Sequence, residues 1–257
     1  MSFLIDMHTH TSDSSSCSSL GVEDLLLQAE QVGLGGVTIT DHNFIDGGLK
    51  AERLSRRRNV KVFVGVEVST EEIGDVLVYG LRQNFPDAPV PFRKLAKAVE
   101  KAGAVMFAAH PFRRHARNAL WVYFEDIAFR WRHSLTLPDL LAPLAGIEVY
   151  NGGATPRENE EAALFAARFR LRGIAGSDAH NHWRVGWCAT EFDYEIRSEE
   201  ELVQALRLGR YRISRNQTEF DTEVERRTHM HNMANLRGQD LADYVADWRR
   251  RKQRNTP

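Results

Sequence analysis

The chain has little cysteine and no long apolar run. Of its 257 residues only Cys17 and Cys188 are cysteines, which is too few for a disulfide framework or a thiolate metal cage. Any bound metal must therefore be held mainly by nitrogen and oxygen. No stretch approaches the roughly 18 apolar residues of a membrane span, and the amino terminus lacks a basic start followed by an apolar core. We therefore expect a cytoplasmic protein with no membrane partner.

An excess of positive charge is also missing. The formal net charge is −1, whereas a protein that coats nucleic acid by bulk electrostatics needs a clear excess of Lys and Arg. Hydrophobic residues make up 42% of the chain and charged residues 27%, as in ordinary soluble globular proteins. A chain of this length suits a single catalytic domain, and α/β barrels commonly reach that size undivided.

Short apolar runs alternate with amphipathic helical patterns, as in the βαβ units of a parallel sheet. Apolar residues recur at three- and four-residue spacing in segments 22–31, 94–102, 158–170 and 198–208, which predicts four helices. The predicted strands are 3–6, 37–40, 62–66, 76–80, 105–109, 146–149 and 173–176, with a last one near 211–214. About seven such repeats predict a barrel.

Two regions depart from this rhythm. Segment 118–138 is rich in aromatic and basic residues, and we interpret it as packing against the barrel, the alternative being a lid that stacks a base or excludes water. From residue 218 the sequence turns polar and charged. We expect a metal-dependent hydrolase domain at 1–217 and an appended helical, partly flexible tail at 218–257.

Most side chains that can bind a metal lie at or just beyond the carboxyl end of a predicted strand. In a parallel barrel those ends open onto one face, so residues more than a hundred positions apart meet in one pocket. His8 and His10 are two apart in extended chain, so both imidazoles point the same way. The set comprises His8, His10, Asp41, His42, Glu67, His110, Glu148, Asn151, Asp178 and His180.

Each of these motifs has an ordinary alternative when it is taken singly. His8 and His10 could be two polar residues at a strand end, and Asp41-His42 could close a turn. Glu67 lies between two valines, where a carboxylate is costly unless it is paired or coordinated; its alternative is a buried salt bridge to an arginine. The recurrence at the same end of successive strands favours a metal centre.

Five ordered motifs resemble those of the polymerase and histidinol phosphatase (PHP) superfamily. They are Asp6-Met7-His8-Thr9-His10-Thr11, Thr40-Asp41-His42-Asn43, Gly65-Val66-Glu67-Val68-Ser69, Ala109-His110-Pro111-Phe112 and Ser177-Asp178-Ala179-His180. The resemblance spans positions 6 to 180 and implies the PHP fold, a distorted seven-stranded (β/α)7 TIM-like barrel. It also implies phosphoesterase chemistry with two or three divalent ions (Mn, Zn or Fe). The implied ligands are His8, His10, Glu67 and Asp178 for the first ion, Glu67, His110 and one further residue for the second, and His42 and His180 for a third.

The sequence departs from the commonest pattern of the superfamily in two places. Many relatives have a Gly-His pair after the bridging glutamate, where this chain has Gly74-Asp75. Asp75 could supply an oxygen ligand and shift the preference toward a harder metal such as Mn²⁺; its alternative is an ordinary turn aspartate. Relatives often have a His or Asp five or six residues after His10, where this chain has Ser15 and Ser16.

The predicted function is hydrolysis of a phosphate ester by metal-activated hydroxide in a bi- or trinuclear site. His42 or His180 would assist proton transfer, and Arg113 at the pocket rim would bind phosphate oxygens, unless it is simply a solvated arginine. The substrate would be a small phosphomonoester or phosphodiester, a nucleotide or a short nucleic acid. The alternatives are an amidohydrolase-like C–N hydrolase, for which no strand-end lysine offers a bridging carbamate, and a non-catalytic metal-stabilised binding domain. The sequence predicts no oligomeric state.

Overall fold

A computed structural model describes residues 3–113 and 137–215, and within them the chain forms a mixed nine-stranded sheet curled into a nearly closed barrel. The order of the strands in the sheet is β7-β6-β5-β4-β3-β2-β1-β8-β9. The strands are β1 (Phe3–Thr9), β2 (Gly36–Ile39), β3 (Lys61–Thr70), β4 (Gly74–Tyr79), β5 (Val105–Ala108), β6 (Gly146–Asn151), β7 (Arg172–Gly176), β8 (Cys188–Phe192) and β9 (Tyr211–Arg215).

The directions of the strands correct the expectation of a wholly parallel barrel. Strands β1 to β3 are parallel, as are β5 to β7, but β4 runs antiparallel to both β3 and β5. Strands β8 and β9 extend the sheet beyond β1 in antiparallel pairing, so the described sheet has nine strands rather than seven. Strand β8 was not predicted because Thr190 and Glu191 interrupt its apolar pattern. The predicted α/β barrel class is confirmed.

The barrel nearly closes where the chain leaves β7 and meets β1. The backbone N–H of Asp178 donates to His8 O at 2.7 Å, and the N–H of His10 donates to Ala179 O at 3.0 Å. A Cβ atom at Gly176 would lie 2.4 Å from the Cβ of His8, so only glycine allows this approach. Two ligand motifs distant in sequence are thereby hydrogen-bonded to each other.

Helices cover the outer face of the sheet. The four predicted helices are present. Thr155 and Glu158 form a capping box at the start of the helix Pro156–Phe169, and Gly103 ends the helix Phe92–Ala102 in the left-handed conformation. Helix α2 was not predicted because it contains Gly47 and Gly48, which weaken a helical pattern. The described helices are α1 (Val22–Gln31), α2 (Asp46–Ser55), α3 (Phe92–Ala102), α4 (Leu137–Leu141), α5 (Pro156–Phe169), α6 (Glu199–Leu208) and a 3-10 turn (His182–Arg184).

The predicted insertion at 118–138 lies outside the described residues as far as residue 136, and the predicted tail at 218–257 lies outside them entirely. The insertion, the tail and the domain boundary after residue 217 therefore stay predictions. In the portions of the chain that are described, no helix has both the length and the apolar character needed to cross a membrane.

Candidate metal centre

Glu67 lies at the centre of a buried cluster at the carboxyl ends of the parallel strands. Its side chain is fully buried, and its Oε1 lies 2.9 Å from His110 Nε2. Its Oε2 lies 3.1 Å from His42 Nδ1, 3.2 Å from His10 Nε2 and 3.4 Å from His8 Nε2. One carboxylate therefore faces four imidazoles that come from three other strand ends.

Asp178 forms the opposite wall of the cluster. Its Oδ1 lies 3.2 Å from His10 Nε2 and 3.6 Å from His8 Nε2. The residue has φ +52°, a left-handed conformation that is unfavourable for most side chains. The hydrogen bond from its N–H to His8 O holds it there. Local strain of this kind concentrates at functional sites, where the surrounding structure maintains it.

The predicted ligands fall into four overlapping groups, each with nitrogen or oxygen atoms within 4.8 Å of one another. Three of the groups contain residues that the PHP resemblance assigns to the first, second and third ion, with Asp75 added to the second and His10 to the third, and the fourth group combines residues assigned to the first and second ions. The groups are His8 with His10 and Glu67; Glu67 with Asp75 and His110; His10 with His42 and His180; and His8 with His110 and Asp178.

The main indication that the cluster could hold a cation comes from one atom, Glu67 Oε2. Within the described residues, Glu67 Oε2 is buried and makes no hydrogen bond, although three imidazole nitrogens lie within 3.4 Å of it. A buried carboxylate oxygen without a partner is costly. A divalent cation shared with those nitrogens would satisfy it.

Asp75 joins the cluster because β4 runs antiparallel to β3. In a parallel strand the first residues would lie at the opposite end of the barrel, whereas the antiparallel pairing sets Asp75 opposite Ser69. The hydroxyl of Ser69 donates to Asp75 Oδ1 at 2.8 Å. Burial raises the pKa of Asp75, and the charge of Glu67 raises it further. The oxygen ligand expected in place of a histidine thus lies next to Glu67 and His110.

Protonated imidazoles and carboxylates stabilise one another in this cluster. Burial alone would lower the pKa of His8, but the carboxylates of Glu148, Glu67 and Asp178 outweigh it and raise that pKa well above its usual value. Burial opposes a similar rise in the pKa of His10, whose close contacts with the carboxylates of Asp178 and Glu67 bring that pKa to about 9. Burial would raise the pKa of each of these two carboxyls, yet the charge of His8 and the neighbouring hydrogen bonds hold both well below their usual range.

His42 and His180 line the accessible side of the cluster. Their side chains are 36% and 29% exposed, whereas His8 and His10 are fully buried. Burial and the charge of His10 lower the pKa of His180, which favours its neutral form at pH 7. These two imidazoles are therefore the ones that a substrate could reach.

Ser15 contributes to the cluster in a way that the sequence analysis missed. Its hydroxyl oxygen accepts the backbone N–H of His42 at 2.9 Å and lies 3.4 Å from His10 Nδ1. In the window where relatives often have a histidine or aspartate, this chain thus has a neutral group that orients two candidate ligands. Its position five residues after His10 was the available signal.

Arg113 lies inside the cluster rather than at its rim. Its side chain is 22% exposed, and Nη2 donates to Asp178 Oδ2 and, at 2.7 Å, to Asn151 Oδ1. A Cβ at Gly153 would lie 2.5 Å from that nitrogen, so glycine makes room for the guanidinium. Arg113 braces a candidate ligand, and its contact with substrate phosphate stays a prediction.

Asp6 was not predicted as a site residue, yet it ties the strand ends together. It is fully buried, and burial raises the pKa of its carboxyl to about 6. Its carboxylate accepts the backbone N–H groups of Ser177 at 2.8 Å, Gly186 at 2.9 Å and His8 at 3.3 Å. A carboxylate within an apolar strand, the signal that identified Glu67, was present here too.

Comparison with known sequences finds matches over parts of this chain. Residues 156–211 match the model of the PHP-associated family. An uncharacterised protein of Methanocaldococcus jannaschii is 32% identical over 89 residues, which are 35% of this chain and 51% of that protein. The chain therefore matches about half the length of this relative.

Solved structures share the fold. A two-domain Bacteroides vulgatus protein containing a predicted PHP-like metal-dependent phosphoesterase has a TM-score of 0.63 at 18% identity, over 83% of this chain and 65% of that one. PfuEndoQ, a lesion-specific endonuclease of Pyrococcus furiosus, also shares the fold, with a TM-score of 0.61 at 16% identity over 83% of this chain and 58% of that one. At these identities the likeness establishes the fold. With the family match, it confirms the resemblance to the PHP superfamily.

Proposed function

We propose that the protein is a metal-dependent phosphoesterase whose site is the cluster around Glu67. The observation that carries the proposal is the buried Glu67 Oε2, which makes no hydrogen bond within the described residues and faces the nitrogens of three histidines. The family match and the phosphoesterase among the structural neighbours support the choice of reaction.

Two or three divalent ions would be held by side chains from successive strand ends. His8, His10, Glu67 and Asp178 would hold the first ion; Glu67, His110 and Asp75 the second; His42 and His180 a third. The two carboxylate oxygens of Glu67 face different imidazoles, as a bridging ligand requires. Mn²⁺, Zn²⁺ and Fe²⁺ all accept such nitrogen and oxygen donors, and Asp75 favours the harder Mn²⁺.

When bound, divalent ions would supply stabilisation of negative charge on the phosphate and activation of water. The protein's own part is to orient the substrate and to move protons. His180 has a lowered pKa, so its neutral imidazole can accept a proton at neutral pH. His42 is the other accessible imidazole. Arg113, whose Nη2 donates to Asn151 and Asp178, would bind phosphate oxygens beside Asp178.

The proposed substrate is a phosphomonoester or phosphodiester of limited size, including a nucleotide or a short nucleic acid. The net charge of −1 disfavours a long nucleic acid held by bulk electrostatics. An arginine beside the metal ligands favours an anionic substrate over the amide of a C–N hydrolase.

The test begins with metal analysis of protein purified without added ions. Protein loaded with Mn²⁺ or Zn²⁺ is then assayed against parallel panels of phosphate esters and amides. We expect release of phosphate or nucleotide, and its loss in Asp178→Asn but not in the matched surface variant Asp193→Asn, whose carboxylate is 66% exposed. Turnover of amides alone, or of neither panel by fully loaded protein, would contradict the proposal.

A further inference from the structure

Glu148 lies behind the cluster rather than in it. It belongs to none of the four ligand groups found among the described residues, although it is 1% exposed and sits on β6 beside the site. Its Oε1 lies 3.1 Å from His8 Nδ1, the nitrogen on the far side of the ring from the other candidate ligands. Glu148 is one of the metal-capable side chains predicted from the sequence, but its carboxylate contacts the outer nitrogen of a candidate ligand, His8.

The second oxygen of the same carboxylate is also fully engaged. Glu148 Oε2 accepts the backbone N–H of His110 at 2.8 Å and the side-chain amide of Asn151 at 2.9 Å. His110 has φ +27°, an unfavourable backbone conformation that needs support from its surroundings. One carboxylate thus contacts the imidazole of one candidate ligand and the backbone of another.

These contacts fix the proton on His8. A carboxylate can only accept hydrogen bonds, so it keeps a proton on Nδ1 of His8. An ion that displaces the proton on Nε2 would then meet a lone pair directed at His10 and Glu67. Outer carboxylates that bind the second nitrogen of a metal-ligating histidine act in this way.

We propose that Glu148 is a positioning residue that sets the tautomer of His8 and the backbone of His110, and so serves the first and second metal ions together. The inference rests on the proposed function, because it needs those ions to bind at the cluster. It assigns Glu148 a role through its neighbours and not as a ligand.

The variant Glu148→Gln tests the proton preference at almost constant size. If its amide NH₂ faces His8, it donates to Nδ1 and forces the proton onto Nε2, which then cannot bind metal. If the amide is turned round, its NH₂ faces two other donors, the His110 N–H and the Asn151 amide. Either orientation disturbs one candidate ligand.

The experiment titrates metal-free protein with Zn²⁺ or Mn²⁺ alone by calorimetry. We expect Glu148→Gln to lose about 10–100-fold in affinity, the usual effect of removing such an outer partner. The matched control is Glu158→Gln, since Glu158 is also a buried carboxylate but accepts from Thr155 and belongs to none of the four ligand groups in the described residues. Its affinity should equal that of the wild type.

A spectroscopic measurement separates positioning from packing. In a long-range ¹H–¹⁵N spectrum of the Zn²⁺-loaded protein, we expect the wild-type His8 ring to carry its proton on Nδ1, and Glu148→Gln to lose that pattern. Glu148→Asp keeps an acceptor-only group, so it should retain the pattern and lose less than about tenfold in affinity. If Glu148→Gln does not fold, the inference is decided by whether Glu148→Asp retains the proton on Nδ1 of His8.

The outcomes distinguish this inference from the proposed function. If the wild type binds ions and Glu148→Gln binds them equally well, or if Glu148→Asp loses as much as Glu148→Gln, Glu148 has no positioning role. If the wild type binds neither ion, the metal centre is wrong and the inference falls with it.

Discussion

The enclosed face of the barrel is apolar at one end and charged at the other. On β3, Phe63 and Gly65 precede Glu67 at alternate positions; on β4, which runs the opposite way, Asp75 comes before Leu77 and Tyr79. The apolar end continues into a buried cluster with α6. The charged end contains all the candidate ligands. A single period-two pattern thus serves folding at one end and ion binding at the other.

The two ends contribute differently to stability. Burial of apolar side chains favours folding, whereas burial of imidazoles and carboxylates without a metal costs free energy unless each group is paired. The charged end is tolerated because its groups neutralise one another, with Glu67 and Asp178 opposite His8 and His10. Substitutions at the two ends should therefore separate stability from metal affinity.

The largest expected effect is loss of stability at the apolar end. Phe107 is fully buried and lies edge-on to Tyr79, so Phe107→Ala should lower the free energy of unfolding by about 3–5 kcal/mol. Urea unfolding of metal-free protein measures this, with Leu164→Ala, at a 64% exposed position, as the control. If the folded variant also lost Zn²⁺ affinity in proportion, the two ends would not be separable.

A substitution at the charged end should lower metal affinity strongly and stability only weakly. Glu67→Gln removes the charge that faces four imidazoles, and we expect Zn²⁺ affinity to fall by more than about 100-fold, beyond the usual effect of an outer partner. Calorimetric titration checks this. Metal-free stability should change less than in Phe107→Ala, because the imidazoles can release their protons. Unchanged Zn²⁺ affinity would remove Glu67 from the metal centre.

The candidate ligands could be selected from the sequence because they share one signal, a polar residue at or near the end of an apolar strand. His8 lies near the end of β1 and His10 just beyond it, while His110 and Asp178 come shortly after β5 and β7. Each of these three strands pairs in parallel with a neighbour. Glu67 was identified by the cost of a carboxylate between valines. Local sequence contains this information, since strand ends meet wherever strands are parallel.

The remaining features depend on pairings that local sequence does not specify. Asp75 reaches the site only because β4 is antiparallel. Arg113 turns inward to Asp178 through a contact between residues 65 positions apart, and nothing near Arg113 in the sequence indicates that partner. Asp6 carried a local signal, but its three backbone partners are set by the closure of the barrel.

The third prediction concerns the effect of pH on the charged end. Without metal the pKa of His10 is about 9: burial lowers it, but close contacts with the carboxylates of Asp178 and Glu67 outweigh that effect. An incoming ion must displace this proton, so Zn²⁺ affinity should fall up to about tenfold, or about 1.4 kcal/mol, from pH 8 to pH 7 for each proton displaced. Titrations in buffers of different ionisation enthalpy would count the protons released. A pH-independent affinity would contradict the protonated cluster.

The same pKa predicts an opposite trend for the metal-free protein. Because the folded pKa of His10 lies above its ordinary value of 6.5, its stabilising contribution is fully present below pH 6.5 and is lost as the pH rises through about 9. The melting temperature of metal-free protein should therefore fall from pH 7 to pH 9 while metal affinity rises. If the melting temperature instead rose with pH together with the metal affinity, groups other than His10 would dominate the pH dependence of stability.

The smallest expected effect lies outside both ends of the barrel, at the start of α5. Thr155 accepts the N–H of Glu158 as the N-cap, and Glu158 accepts in return from the N–H of Thr155. Thr155→Ala removes one of these bonds and should cost about 1 kcal/mol of stability, while Thr155→Ser, which keeps the hydroxyl, should cost less. Zn²⁺ affinity should be unchanged in both variants, because α5 covers the outer face of the sheet and contributes no member of the four ligand groups found in residues 3–113 and 137–215. A change in affinity as large as that of Glu67→Gln would show that the metal centre responds to any loss of stability, and the contrast between the two ends would then be wrong.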